Sequence, residues 1–258
     1  MSTNTLNETP ILQAGGVYKS YGAIKVLQAV DLVVETGSTH AVIGPNGAGK
    51  TTLFKVLSGE LFSDQGKVEF EGRDVSAEPG YARVRNGMGR TFQVAKVFPD
   101  ETVLSNMAVA IESRDAVRGF SLSNYLRISR GADVLEECHE ILAKVGLADR
   151  WDYQAGILAY GERKRLELAM TLALKPRLLM LDEPMAGMSP GDRANAIQLL
   201  RRISEDTGIS ILLTEHDMNV VFSLADHVTV LNYGEVIASG TPDEVKASPL
   251  VREVYLGH

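Results

Sequence analysis

The chain holds 258 residues, 45% of them hydrophobic, with 26 Lys and Arg against 33 Asp and Glu for a formal net charge of −7; this is enough apolar material for one substantial core with room for a subdomain. The acidic balance argues against general affinity for nucleic acid and against simple attraction to anionic lipid, both of which need concentrated Lys and Arg. The longest uncharged apolar runs, such as Leu178 to Leu181 and Ile209 to Leu213, fall far short of the roughly 20 residues that cross a bilayer, and a single cysteine, Cys138, excludes an internal disulfide and fits a reducing cytosol.

Residues 1–10 are polar and lack the basic start and apolar stretch of a secretory signal, which predicts a frayed tail. Val26 to Glu35 alternates and His40 to Ile43 is a short run, so both read as strands, the second feeding a glycine-rich loop. Thr51 to Leu57 reads as a helix, and Val68 to Glu71, closed by Gly72, as another strand. From Thr102 to Val145 helical spacing dominates, in Val103 to Ile111 and Val134 to Val145. Ser113 to Gly131 lies between them as a surface excursion, functional or simply variable. Cys138 falls in the second helix, as a packed small residue or a reactive thiol.

After Ala159 helices and strands alternate: helix Gly161 to Leu174, strand Arg177 to Asp182, helix Gly191 to Ser204, strand Ser210 to Thr214, helix Met218 to Leu224. Such alternation implies parallel strands with right-handed crossovers. Val228 to Leu231 and Glu235 to Ala238 form a closing hairpin, and Thr241, Pro242 and Glu244 begin a last short helix. The fold class is α/β: a P-loop NTPase core of the RecA-like kind, with an antiparallel β subdomain and an inserted helical subdomain. Core and β subdomain occupy 11–92 and 160–258, and the helical subdomain 93–159.

The run Gly44-Pro45-Asn46-Gly47-Ala48-Gly49-Lys50-Thr51-Thr52 satisfies G-x-x-x-x-G-K-[ST], after a predicted strand and before a predicted helix. Its glycines let backbone N–H groups surround phosphates and the helix N-terminus adds its positive end. Lys50 reaches the β and γ oxygens and the Thr51 hydroxyl ligates Mg²⁺. Hydrolysis further requires a carboxylate for the metal and a base for water. Asp182 emerges at the carboxyl end of the apolar strand Leu178 to Leu181 and can hold Mg²⁺ through water. Glu183, beside Pro184, leaves the pleat and can act as general base. Gln93, after the strand-like Gly89 to Phe92 and where the helical insert begins, offers an amide to metal and water, and His216, just past a strand, can bond the γ-phosphate and orient Glu183.

Together these residues resemble the ATPase subunit of an ABC transporter over about Leu12 to Gly257. The diagnostic stretch is Leu158-Ala159-Tyr160-Gly161-Glu162, followed by Arg163-Lys164-Arg165-Leu166-Glu167, which is similar to the family's signature loop and helix. Arg163 to Arg165 also suit the basic outer face of an amphipathic helix. The resemblance implies that this loop covers the ATP held by a second ATPase subunit, with Gly161 starting the helix whose N-terminus faces the γ-phosphate. Ala159 replaces a serine and Glu162 a glutamine of the commonest signature. Ser189, after Ala186-Gly187-Met188, replaces the aspartate of the interfacial D-loop and can still bond across the interface. Tyr21 stands where the family places its adenine-stacking aromatic residue, with Tyr18 as the rival.

Arg90-Thr91-Phe92-Gln93, the Leu-Ala-Tyr-Gly signature, Glu215-His216-Asp217-Met218 and the ending Tyr255-Leu256-Gly257 resemble the larger ATPase of branched-chain amino-acid uptake systems, and urea and amide uptake ATPases share much of the pattern. The cofactors implied are ATP and Mg²⁺. The partners implied are integral membrane permeases, a second ATPase subunit and, indirectly, an extracytoplasmic substrate-binding protein, with no nucleic acid. The location implied is the cytoplasmic face of the membrane. Two other functions stay open: a soluble ATP-dependent switch, disfavoured by the acidity and the single cassette, and a module that closes on ATP without hydrolysing it.

Overall fold

The computed structural model describes residues 9–117 and 130–256. Most of the expected tail, most of the surface excursion and Gly257 lie outside these residues.

Two sheets enclose the phosphate-loop helix. The first is antiparallel, in the order β2-β1-β4-β5, from β1 (Leu12–Tyr21), β2 (Ile24–Val34), β4 (Gln65–Phe70) and β5 (Arg73–Asp74). The second runs β10-β9-β3-β8-β7-β6, from β3 (Thr39–Ile43), β6 (Met88–Arg90), β7 (Leu178–Asp182), β8 (Ser210–Thr214), β9 (His227–Asn232) and β10 (Glu235–Gly240). All its pairings are parallel except the β9–β10 hairpin. Between the sheets lies α1 (Lys50–Leu57), whose Leu53, Phe54 and Leu57 share one apolar cluster with Leu12 and Val17 of the first sheet and Met180 and Leu212 of the second.

Several elements were not legible beforehand, β1 and the helix at 80–85 among them. The alternation of β1 breaks at Gly15-Gly16, where its register against β2 slips. Helix α2 (Gly80–Arg85) is too short to show a period. It nevertheless carries Arg83, 1% exposed, whose guanidinium donates to the Val56 and Leu57 carbonyls at 2.9 and 2.6 Å and so caps the C-terminal end of α1.

The helical insert is built from α3 (Val103–Val117) and α4 (Arg130–Lys144), both longer than spacing predicts, so that residues 113–117 are helix rather than loop. Arg114 joins the two helices through a two-pronged contact with Glu137 at 2.7 and 2.9 Å, which holds the Glu137 carboxyl down to about 2. Cys138 is fully buried there and burial pushes its thiol up to about 11, the state of a packed residue. Helix α5 (Tyr160–Ala173) gives Leu166, Ala169 and Ala173 to this cluster while Leu168 joins the core, so the expected boundary at 159/160 falls at the start of a helix shared by both bodies.

The other face of the second sheet is covered by α6 (Pro190–Thr207), α7 (Met218–Leu224), α8 (Pro242–Ala247) and α9 (Pro249–Leu256). Helix α8 starts with the expected reciprocal cap between Thr241 and Glu244.

His40 of β3 stands opposite His227 of β9 and bonds Thr229 Oγ1 at 2.9 Å; burial, then the neighbouring His227, lower its pKa to about 3. The unfolded chain takes up a proton at His40 near pH 6.5 and the folded chain does not until about 3, so stability is lost as pH falls between these values. The loss between about pH 8 and pH 5 is about 2 kcal/mol from this group. Urea unfolding at the two pH values should show a smaller loss in His40→Gln than in the unaltered chain; equal losses would dismiss His40 as the cause.

Candidate functional site

The phosphate loop is shaped by how closely its glycines approach the neighbouring strands. A Cβ on Gly44 would lie 2.1 Å from the Leu231 carbonyl oxygen, and one on Gly49, whose φ is +106°, would lie 2.8 Å from that of Val26. Between them Ala48 is buried, Pro45 is partly buried, and Asn46 and Gly47 are exposed. Helix α1 opens at Lys50 with no side-chain cap and no acidic residue in its first turn, so its positive end is free to meet an anion. Thr51 is exposed and Thr52 partly buried there. Lys50 Nζ donates to the Gly44 and Pro45 carbonyls at 2.7 and 3.0 Å, leaving one of its three protons for a ligand. Burial lowers the Lys50 pKa while Glu183 and Asp182 act to raise it. These features fit a bound phosphate chain.

The acids arrive on β7. Asp182, 5% exposed, accepts from Thr214 Oγ1 at 2.9 Å and faces Arg90 Nη2 at 3.5 Å. Glu183 turns out of the strand at φ +48°, a conformation that strains a non-glycine residue by about 1–3 kcal/mol. Its N–H is held by the Thr214 hydroxyl at 3.0 Å and carbonyl at 3.2 Å. Gln93 Nε2 donates to one oxygen of the Glu183 carboxylate at 2.9 Å and His216 Nε2 to the other at 2.5 Å.

The signature stretch lies elsewhere: among the described residues no hydrogen bond joins 158–162 to 44–52. Leu158 is buried in the helical cluster, and α5 begins at Tyr160, one residue earlier than expected, with Ala159 as its N-cap. Glu162 accepts the Ala159 N–H at 3.0 Å and Arg150 Nε at 3.2 Å. The alanine methyl returns no acceptor, so half of the reciprocal cap is missing. Gly161 is partly exposed, its Cβ direction 3.9 Å from Asp192 Cγ. Tyr21 lies at the exposed end of β1, paired with Ile24, and makes no hydrogen bond to the loop among the described residues. Ser189, expected to bond across an interface, is engaged within its own chain. It caps α6, accepting the Asp192 N–H at 3.2 Å and donating to Asp192 Oδ2 at 2.7 Å.

Four residues of the neighbourhood escaped the sequence reading. Thr214 was only a strand residue there. Glu215, 5% exposed, accepts the N–H groups of Met185 and His216 at 3.0 and 3.2 Å, and burial raises its pKa. Lys164 and Glu167 are 6% and 4% exposed, so Lys164 does not belong to a basic outer face. A seven-residue spacing from Tyr160 to Glu167 through Lys164 was the available signal.

Fold and site define a P-loop ATPase whose cassette includes a helical insert. Residues 27–186 match the family described as ABC transporter, and residues 235–258 match one described as branched-chain amino acid ATP-binding cassette transporter. The chain belongs to the ABC transporter family, as an ATP-binding and ATP-hydrolysing cassette. It is similar to the high-affinity branched-chain amino acid transport ATP-binding protein BraF of Pseudomonas aeruginosa, with 35% identity over 252 residues, 96% of this chain and 98% of that protein. The probable branched-chain amino acid transport ATP-binding protein LivG of Archaeoglobus fulgidus is 36% identical over 249 residues, 96% and 95% of the two chains. A crystal structure of an ATP-binding cassette of an ABC transporter in its ADP conformation superposes with a TM-score of 0.83 at 31% identity, covering 96% of this chain and 99% of that one.

The half-made cap at Ala159 gives a direct test. Ala159→Ser supplies the missing acceptor and should stabilise the chain by about 1 kcal/mol, a rise of roughly 2–4 °C in the calorimetric midpoint. An unchanged or lower midpoint would contradict the cap geometry.

Proposed function

We propose that this chain energises uptake of branched-chain or closely related amino acids across the cytoplasmic membrane, as one of two ATPase subunits acting on integral permease subunits. The names of the similar proteins and the match over residues 235–258 support the substrate class. The convergence of Gln93 and His216 on the strained Glu183 carries the hydrolytic reading.

In this reading Gly44 to Thr52 hold the phosphates and Tyr21 stacks on adenine. Thr51, Asp182 and Gln93 offer the hard oxygen donors that Mg²⁺ prefers, and the metal supplies neutralisation of charge on the phosphates. Glu183 takes the proton of the attacking water, His216 orients that carboxylate and bonds the γ-phosphate, and Gln93 positions the water. Leu158, Ala159, Tyr160, Gly161 and Glu162 cover the nucleotide of the second ATPase subunit, a copy or a related chain. The 93–159 insert docks on the permease, which the substrate-binding protein engages from the other side. No helix among the described residues is long and apolar enough to cross a membrane, and in this reading attachment at the cytoplasmic face runs through the permease. Nucleic acid plays no part.

Glu183→Gln should lower kcat for ATP hydrolysis by about 10²- to 10⁴-fold while ATP binding is retained; rapid phosphate release by that variant removes Glu183 as the base. Chelating divalent metal should halt turnover in the unaltered chain and Mg²⁺ should restore it. Reconstituted with the permease subunits of a branched-chain amino-acid uptake system, the chain should drive uptake of labelled leucine, isoleucine or valine. Normal hydrolysis without such uptake would sink the substrate assignment.

A further inference from the structure

One side of α5 faces the segment that carries Gln93. Tyr160, Lys164 and Glu167 follow the i, i+4, i+7 spacing of a single helix face. The Tyr160 hydroxyl donates to the Gln93 carbonyl at 3.3 Å and Lys164 Nζ to the Phe92 carbonyl at 2.5 Å. Glu167 Oε1 accepts the N–H groups of Phe92 at 3.2 Å and Lys96 at 3.0 Å.

These bonds act on particular peptide planes. The Phe92 carbonyl belongs to the plane that leads into Gln93, and the Gln93 carbonyl to the plane that leaves it. Lys164 holds the first and Tyr160 the second, so both peptide planes that flank Gln93 are restrained from α5. Glu167 then closes the loop by tying Phe92 and Lys96 to one oxygen.

The arrangement is costly to keep. Lys164 and Glu167 are 6% and 4% exposed, and their charged atoms stand 3.8 Å apart. The other oxygen of Glu167, Oε2, has no hydrogen-bond partner among the described residues, and burial raises the carboxyl pKa. Apolar residues of similar volume fill such a position at less cost than a buried ion pair. What they do not supply is the grip on the backbone beside Gln93.

We propose that Lys164 and Glu167 are positioning residues for ATP hydrolysis: they suspend the backbone of residues 92–96 from α5 so that the Gln93 amide meets Glu183. The inference rests on the role proposed above for Gln93.

The test uses the full-length chain with Mg-ATP and compares Lys164→Met, Glu167→Leu, which removes the accepting oxygen, Gln93→Ala and the doubles that combine each of the first two with Gln93→Ala. Both positioning variants should lose at least about tenfold in kcat with KM for ATP within about twofold, because misplacement of a group by about 1 Å slows chemistry by as much as 10²-fold. Amide hydrogen exchange at Phe92 and Lys96 should quicken in Glu167→Leu, which has no oxygen to accept either N–H. In the Gln93→Ala background neither change should slow turnover further, since both act through the same side chain.

Losses that multiply in that background, or a raised KM with unchanged kcat, would overturn the positioning role and leave the Gln93 reading standing. A Gln93→Ala chain that hydrolyses ATP at the unaltered rate would overturn the Gln93 reading and this inference with it. If a single change leaves a lone buried charge that prevents folding, the paired Lys164→Met, Glu167→Leu chain removes both charges together and is held to the same outcomes.

Discussion

A single hydroxyl at the end of β8, that of Thr214, orders both acids of β7. It donates to Asp182 and accepts from the N–H of Glu183, holding one carboxylate in the strand and the next residue out of it at φ +48°. This depends on register, because Thr214 pairs with Asp182 on one side and with Val42 of β3 on the other. The phosphate loop and the acids therefore leave the sheet at the same level from strands that flank β8. A slip of one residue would turn Thr214 to the opposite face and leave the strained turn at Glu183 without its support.

The same turn is where the two bodies of the molecule meet. Glu183 receives His216 from the core and Gln93 from the entrance to the helical insert. Glu215 ties the backbone after Pro184 to the backbone of His216, so the histidine and the acid are fixed from a common buried carboxylate. On the other side, Gln93 is carried by a segment bonded to α5, whose apolar face packs with α3 and α4. A continuous run of hydrogen bonds thus leads from the Glu183 carboxylate through Gln93 to α5, the helix that begins in the signature stretch.

How much of this the sequence disclosed follows from what each element is held by. β3, β7 and β8 are buried along their whole lengths and read as apolar runs, because parallel strands covered on both faces need no alternation. The phosphate loop and Asp182-Glu183 were legible because their chemistry demands those residue types at strand ends, and Gln93 and His216 because they follow strands in the expected order. The extension of α3 past Ile111 was not, since Arg114 secures it through Glu137 and the Ala173 carbonyl, partners far along the chain. Thr214, Glu215, Lys164 and Glu167 escaped for the same reason. Each grips a residue that tertiary folding alone brings near, and the charge of Lys164 between two arginines points, in sequence, toward solvent.

The three departures from the commonest family pattern, at Ala159, Glu162 and Ser189, acquire a shared physical meaning. At Ala159 the cap lacks an acceptor, and the Glu162 carboxylate is occupied by the Ala159 N–H and Arg150. At Ser189 the hydroxyl is consumed by Asp192 as the cap of α6. Both loops that would meet a second ATPase subunit thus use their polar side chains within their own chain. In the proposed pair, the backbone N–H groups at the start of α5 are the groups on these loops placed to meet an anion of the nucleotide between the subunits.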